Sequence, residues 1–247
     1  MLNTLGASAP QEHTKIYRHE LKYFLNTREY FSLRTKLKTL MKLDDYATSS
    51  GGYHIRSLYF DNIGDSALYE KQSGILKRKK YRVRIYNLSD DVIKLEKKSR
   101  VGQFINKESL SLTREQADSL QNHDYGFLRY IDDKLAREFY YDIRTQLFRP
   151  KVIVDYFREA FVLNINRIRI TFDNNLKTGM GRTDLFDNAV PMISAVDEQF
   201  HILEVKFINM LPSYLKSILQ VESHQRLAIS KYVYCRKFNK YRNWEDQ

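Results

Sequence analysis

The chain has a single cysteine, Cys235, among 247 residues, so no disulfide can form within it. That suits a reducing compartment. No apolar run approaches the roughly 18 residues that span a membrane, and Met1 to Thr14 lack the apolar core of a secretory signal. A soluble cytoplasmic protein is the expectation. There is neither a GxxxxGK[ST] loop nor a GxGxxG turn, which removes two common phosphate-cradling nucleotide folds. No Cys/His spacing matches a zinc site. Glycine (9) and proline (4) are scarce beside 18 Tyr and 14 Phe, a balance that favours long strands and helices over glycine-rich loops.

Positive charge is what the chain has in excess. Lys and Arg number 41 against 30 Asp and Glu, a formal net charge of +11. Such an excess calls for an anionic partner: nucleic acid, nucleotide, polyanion or membrane surface. With 43% hydrophobic and 29% charged residues the composition is globular. No linker, low-complexity segment or repeat divides it, so one domain over 15–247 is expected, behind a disordered lead-in at 1–14.

The most informative stretch is Lys77 to Lys98. Its first run, Lys77 to Tyr86, places Arg82 and Arg84 on one face of a strand and Val83 and Ile85 on the other. Its second run, Val92 to Lys98, does the same with Lys94, Glu96 and Lys98 against Ile93 and Leu95. Asn87 to Asp91 supplies a polar turn, and together they predict an antiparallel hairpin with one cationic face. Lys77 to Lys80 lie just before the alternating section and read as entrance residues that attract a polyanion.

Similar alternation recurs along the chain. Strands are predicted at Ile16–Leu25, Tyr53–Asp61, Gln103–Leu112, Lys151–Phe161, Arg167–Asp173 and His201–Phe207. Helices are predicted from Thr27, taken as a cap, to Lys42; over Asp65–Gly74; from Arg114 to Gln121 under a Thr113 cap; from Phe127 to Phe148, stopped by Pro150; from Pro212 to Glu222; and over Ile229–Tyr241. Charged residues two apart mark Glu20/Lys22, Arg82/Arg84, Lys94/Glu96/Lys98, Arg167/Arg169 and Glu204/Lys206, with Asp155 and Arg158 adding charge to a further strand. Two arrangements account for this. The sheet packs its apolar face on helices and leaves its charged face in water, or it closes into a barrel whose lumen holds the charges. A cationic lumen needs carboxylates or a bound polyanion to be stable. Patterning alone favours the first arrangement, and the choice of Arg, whose planar fork matches phosphate, narrows the gap to the lumen. Phosphoryl transfer asks mainly for neutralised oxygens and positioning. Glu204, Glu20 and then Glu96 are the carboxylates placed to hold Mg²⁺ or Mn²⁺, which need few protein ligands when phosphates complete the shell.

Seven segments carry a family resemblance, in this order: His19-Glu20-Leu21-Lys22-Tyr23, Tyr81 to Tyr86, Leu95-Glu96-Lys97-Lys98, Arg158-Glu159-Ala160-Phe161, Arg169 to Asp173, Ile202 to Phe207, and Ser230-Lys231-Tyr232. Together, over about Lys15 to Phe238, they resemble the polyphosphate polymerase domain of the vacuolar transporter chaperone (VTC) family. That family belongs to the triphosphate tunnel metalloenzymes, related to CYTH-type triphosphatases and cyclases. The resemblance implies an α+β fold: a closed antiparallel β-barrel of about eight strands, forming a tunnel, with helices outside. It implies transfer of the γ-phosphate of ATP to a growing polyphosphate chain with Mn²⁺ or Mg²⁺. Lys22, Arg82, Arg84, Lys98, Arg158, Arg169 and Lys206 would grip phosphates, Ser230 and Lys231 would contact phosphate near a mouth, and Lys107 would match another tunnel lysine. Glu204 would hold the metal; Glu20, from its place on the strand face, is either a second metal carboxylate or the partner of a lysine.

The superfamily's ExExK signature asks for Glu at position 18, where this chain has Arg18 before Glu20 and Lys22. That departure weighs against a two-metal hydrolase and agrees with the VTC branch. The inositol-phosphate-sensing SPX domain and membrane helices of eukaryotic relatives are not in this sequence, so a stand-alone bacterial form is expected. Its partners would be ATP and polyphosphate, not nucleic acid, and a membrane-bound partner could receive the product. RNA readers stack bases on aromatics within a basic face, and here the aromatics are expected on the apolar face. His19, His54 and His201 read as structural, Tyr81, Tyr86 and Tyr156 as packing residues, and Ser230 as a helix cap.

Overall fold

The computed structural model describes residues 18–102, 104–219 and 228–241. The lead-in at 1–14, the start of the first predicted strand and the end of the Pro212 helix lie outside the described residues. The chain begins with β1 (Arg18–Asn26) and passes directly into α1 (Thr27–Leu40). Asn26, still extended, is the cap in place of Thr27. Its side chain accepts from the Glu29 amide while the Glu29 carboxylate accepts from the Asn26 amide. Such a reciprocal cap contributes about 1 kcal/mol.

There follow β2 (Lys42–Leu43), β3 (Tyr53–Asp61), α2 (Ser66–Gln72), β4 (Lys77–Tyr86), β5 (Ser89–Val101), β6 (Phe104–Leu112) and α3 (Arg114–Gln121). The predicted hairpin is present, with a tighter turn than expected. Asn87 and Leu88 both take positive φ, the backbone of a two-residue turn that matches strand twist, and Ser89 already belongs to β5. The helix expected over Phe127–Phe148 is broken. A 3₁₀ turn covers Gly126–Tyr130, then the Asp133 carboxylate accepts from the Leu135 and Ala136 amides and starts α4 (Lys134–Gln146). Leu147, in the left-handed region, ends it. Pro150 lies inside β7 (Arg149–Leu163), beside the irregularity where the β3–β7 register shifts, a place that tolerates a residue without an amide proton. The chain closes with β8 (Ile168–Thr178), β9 (Ile193–Ser194), β10 (Phe200–Ile208), α5 (Ser213–Leu219) and α6 (Lys231–Tyr241).

All ten strands join one antiparallel sheet in the order β1-β10-β8-β7-β3-β4-β5-β6, with β2 on β7 and β9 on β8. The fold is α+β as expected, but the sheet is not closed: β1 and β6 end the path among the described residues. Lys22 flanks this seam from β1, and Lys98 and Lys107 flank it from β5 and β6. Across it the Lys98 ammonium meets the Glu20 carboxylate at 3.2 Å. Side chains, not a ladder, join the edges.

Period-two alternation sorts the side chains. On the convex face Leu58, Phe60, Tyr81, Val83, Ile85, Ile93 and Leu95 pack on Leu135, Phe139 and Ile143 of α4. Further round, Tyr23, Leu25, Phe172, Leu203 and Val205 pack on Leu33 and Leu37 of α1 and Leu215 of α5. A third cluster fills part of the concave face, where Tyr59, Val154, Tyr156, Leu176 and Ile202 meet Tyr232 and Cys235 of α6. The remaining concave positions carry the charges.

Candidate functional site

On β1 and β10, Glu20 stands opposite Lys206 and Lys22 opposite Glu204. Antiparallel register therefore makes a checkerboard of two ammoniums and two carboxylates. The Lys22 ammonium lies 2.9 Å from Glu20 and 3.7 Å from Glu204, and Lys206 lies 2.5 Å from Glu204. Burial opposes the charge on Glu204, but Lys22, Lys206, Lys231 and Arg158 outweigh it and hold its pKa well below the ordinary carboxylate value. Burial likewise opposes the charge on Lys22, and Glu204 and Glu20 raise its pKa in spite of it. Against the pull of burial, Lys22 holds the Glu20 pKa down, and Glu20, like Glu204 and Lys22, is ionised at neutral pH.

On β8 the same alternation brings Asp173 to this face. Arg158 from β7 grips it with two parallel bonds of 2.6 and 2.8 Å, and Lys231, at the start of α6, shares its Oδ2. Gly52 lets the chain approach here, since a Cβ at that position would sit 2.4 Å from the Arg158 carbonyl oxygen. Arg169, four positions before Asp173 on β8, sits apart with Asp44 at 2.5 Å and the Tyr53 hydroxyl at 2.8 Å.

A second centre forms on β4 to β6. Glu96, buried, takes Arg82 at 2.5 Å, Lys107 from β6, and Arg84 at 3.9 Å. Burial would raise its pKa, yet Arg82 and Arg84, with Lys107, hold it near 2. Arg82 also donates to the Tyr59 hydroxyl and Arg84 to the Tyr156 hydroxyl, at 2.8 and 3.2 Å. Tyr156 joins the two centres. Burial favours its neutral phenol, but Arg158 and Arg84 lower its pKa overall.

The structure thus places every sequence-predicted site residue on the concave face or its rim. Lys22, Glu20, Glu204, Lys206, Arg158, Lys231 and Lys98 form one centre, and Arg82, Arg84 and Lys107 the other. Ser230 receives a hydrogen bond from Lys80 at 3.3 Å. That bond turns Lys80 inward, unlike the entrance role expected of it. Lys80 has no carboxylate partner among the described residues. Burial, then Lys71, Arg78, Lys22 and Lys98, drop its pKa to about 7. Asp173 and Tyr156 were not singled out from the sequence. Each lies on the same strand face as a residue that was, four positions after Arg169 and two before Arg158. Tyr156 is buried among guanidinium groups and is not a mere packing residue. Asp155, expected with Arg158, points the other way and pairs with Arg56 at 2.7 Å.

Aromatics are not confined to the apolar face as expected. Tyr53, Tyr59, Tyr86 and Tyr156 line the concave side, but Tyr59 stacks on Tyr232 at 5.1 Å and the hydroxyls of Tyr59 and Tyr156 are engaged by arginines. His54 pairs with Asp155 at 2.7 Å, and His201 stacks on Tyr30 at 4.2 Å, both on the convex side.

A model of the VTC domain matches residues 17–239. The chain belongs to the VTC domain family. No curated protein matches it. Among solved structures, a Bacillus halodurans protein described as an adenylate cyclase candidate (bh2851) is similar at 11% identity and a TM-score of 0.51, covering 85% of this VTC chain and 92% of its own. Protein PH1819 of Pyrococcus horikoshii OT3 aligns at 12% identity and a TM-score of 0.46, over 90% of this chain and 99% of its own. The bh2851 protein shares the overall α+β fold of this chain. No helix among the described residues is long and apolar enough to cross a membrane.

Proposed function

We propose that this VTC domain is an ATP-dependent polyphosphate polymerase. The observation that carries this reading is the charge imbalance of the concave face. Lys22, Lys80, Arg82, Arg84, Lys98 and Lys107 share it with Arg158, Arg169, Lys206 and Lys231, against half as many carboxylates: Glu20, Asp44, Glu96, Asp173 and Glu204. Closely set cations in a partly dry site repel unless a polyanion neutralises them. A chain of phosphates supplies such charge at regular spacing, and the arginines offer it forked donors.

In this reading an oxygen of the terminal phosphate of the growing chain attacks the γ-phosphorus of ATP. The bond to the β-phosphate oxygen breaks and ADP leaves. Arg158 and Lys206 on one side, and Arg82 and Arg84 on the other, neutralise and align the equatorial oxygens, which is most of what such a transfer requires. Arg158 is held for that task by Asp173, and Arg82 by Glu96. Two ionised carboxylates on adjacent strands, Glu204 and Glu20, are hard-oxygen donors suited to Mn²⁺ or Mg²⁺, with substrate phosphates filling the remaining positions. Held there, such an ion would supply positive charge to substrate phosphate. Arg18 in place of a further glutamate favours transfer to phosphate over two-metal hydrolysis.

The test is incubation of the purified protein with ATP and Mn²⁺. Long polyphosphate and ADP in equal phosphate balance are expected. Orthophosphate alone would overturn the polymerase in favour of a hydrolase. Loss of turnover in Glu204→Gln, on the order of 10²–10³-fold, separates either enzyme from a passive polyanion binder.

A further inference from the structure

The tip of the β4–β5–β6 hairpins combines two properties that the tunnel chemistry does not use. Ile75, Leu76, Val101, Phe104 and Ile105 are all solvent-exposed there, Phe104 by 76% and Leu76 by 69%. They are neighbours in the structure. Val101 pairs with Phe104 and Arg100 with Ile105 across β5–β6, while the Gly102 amide donates to the Leu76 carbonyl. Contiguous exposed apolar side chains of this kind mark an interaction surface.

Charge surrounds the patch. Residues 71–80, 97–102 and 104–107, which build the tip, include nine Lys and Arg and no Asp or Glu. Some of these cations are spoken for, as Lys98 is by Glu20 and Lys107 by Glu96. Lys71, Lys77, Arg78 and Arg100 form no ion pair among the described residues. Arg78 and Arg100 are direct cross-strand partners, an arrangement that like charges disfavour. Burial and then Arg78 lower the Lys71 pKa, and burial and then Arg100 lower that of Arg78. An external anion would relieve that repulsion.

We infer that this tip docks on an anionic lipid bilayer, with Leu76, Val101 and Phe104 entering the interface and Lys71, Lys77, Arg78 and Arg100 meeting headgroup charge. An apolar wedge ringed by unpaired cations matches a surface that offers an apolar layer beneath negative charge. A free polyanion would use the cations but leave the wedge in water. A protein partner or a second copy would have to bring a carboxylate-rich apolar surface. The inference does not depend on the polymerase reading, because membrane contact is measurable without ATP.

Sedimentation with vesicles provides the test. With vesicles of phosphatidylcholine and phosphatidylglycerol at low salt, the wild-type chain should pellet, and pure phosphatidylcholine should leave it in the supernatant. Leu76→Ser with Phe104→Ser should weaken binding by about tenfold or more while ATP turnover is unchanged. Phe104→Trp should show a blue-shifted emission with anionic vesicles only, which reports insertion even if the serine variant fails to fold. The proposal is overturned by binding that salt abolishes but the serine variant retains, since that is simple adsorption of a basic protein. A self-association lost in the serine variant, without vesicle binding by the wild type, would overturn it in favour of a second copy.

Discussion

Lys98 on β5 and Glu20 on β1 are joined by a 3.2 Å ion pair across the seam that the backbone ladder leaves open among the described residues. The contact is half-exposed on the lysine side, so its strength is that of a screened pair, about 0.5–1 kcal/mol. A double-mutant cycle with Glu20→Gln and Lys98→Met, run in chelator, should return a coupling of that size. Strictly additive effects would show that the edges meet without holding each other.

Asp173 is the anion on which Arg158 and Lys231 both depend. Asp173→Asn keeps the shape but leaves two buried cations facing each other. Breaking a buried pair in this way costs about 3–5 kcal/mol, so the melting temperature should fall by many degrees. Inorganic triphosphate should restore more of that loss than it adds to the wild type, because it replaces the missing charge. Equal shifts in both proteins would place the triphosphate away from Arg158.

Glu96 sets the acid limit of the fold. Its pKa of about 2 lies below the ordinary 4.5, so it stabilises the folded state above pH 4.5, and that contribution is lost as pH falls from there towards 2. The difference corresponds to about 3 kcal/mol at neutral pH. Glu204 and Asp173, also held below their ordinary values, add to the same acid transition. In Glu96→Gln the slope of stability against pH below 4.5 should be shallower, and neutral-pH stability lower. An unchanged slope in urea titrations across that range would sink the assignment.

Alternation made most of this legible. A strand face is fixed by period two, so Arg82 with Arg84, Glu20 with Lys22 and Glu204 with Lys206 had to share a side once strands were recognised. What alternation cannot convey is which strands become neighbours. Lys22 meets Glu204 across 182 positions of sequence, and Asp173 meets Lys231 only because α6 packs into the concavity. Helix limits were lost where side-chain hydrogen bonds compete with periodicity, as at Asn26 and Asp133. Closure could not be read at all, since it depends on whether edge strands find backbone partners.

Lys80 gives the sharpest test of the site. Its ammonium faces Ser230 at 3.3 Å and the Tyr232 ring at 4.8 Å, with cations beyond and no ion-pair partner among the described residues. Burial and those cations lower its pKa to about 7, and burial, with Lys22, brings Lys98 to about 8 against the pull of Glu20. An arriving polyphosphate reverses the repulsion and raises both values, so binding takes up protons at pH 8. Triphosphate affinity should therefore fall as pH rises from 7 towards 9, and calorimetry at pH 8 in buffers of different ionisation enthalpy should show net proton uptake. Lys80→Arg, which stays charged throughout, should bind with less uptake and a flatter pH profile. An uptake identical to wild type in that variant would remove Lys80 from the phosphate path.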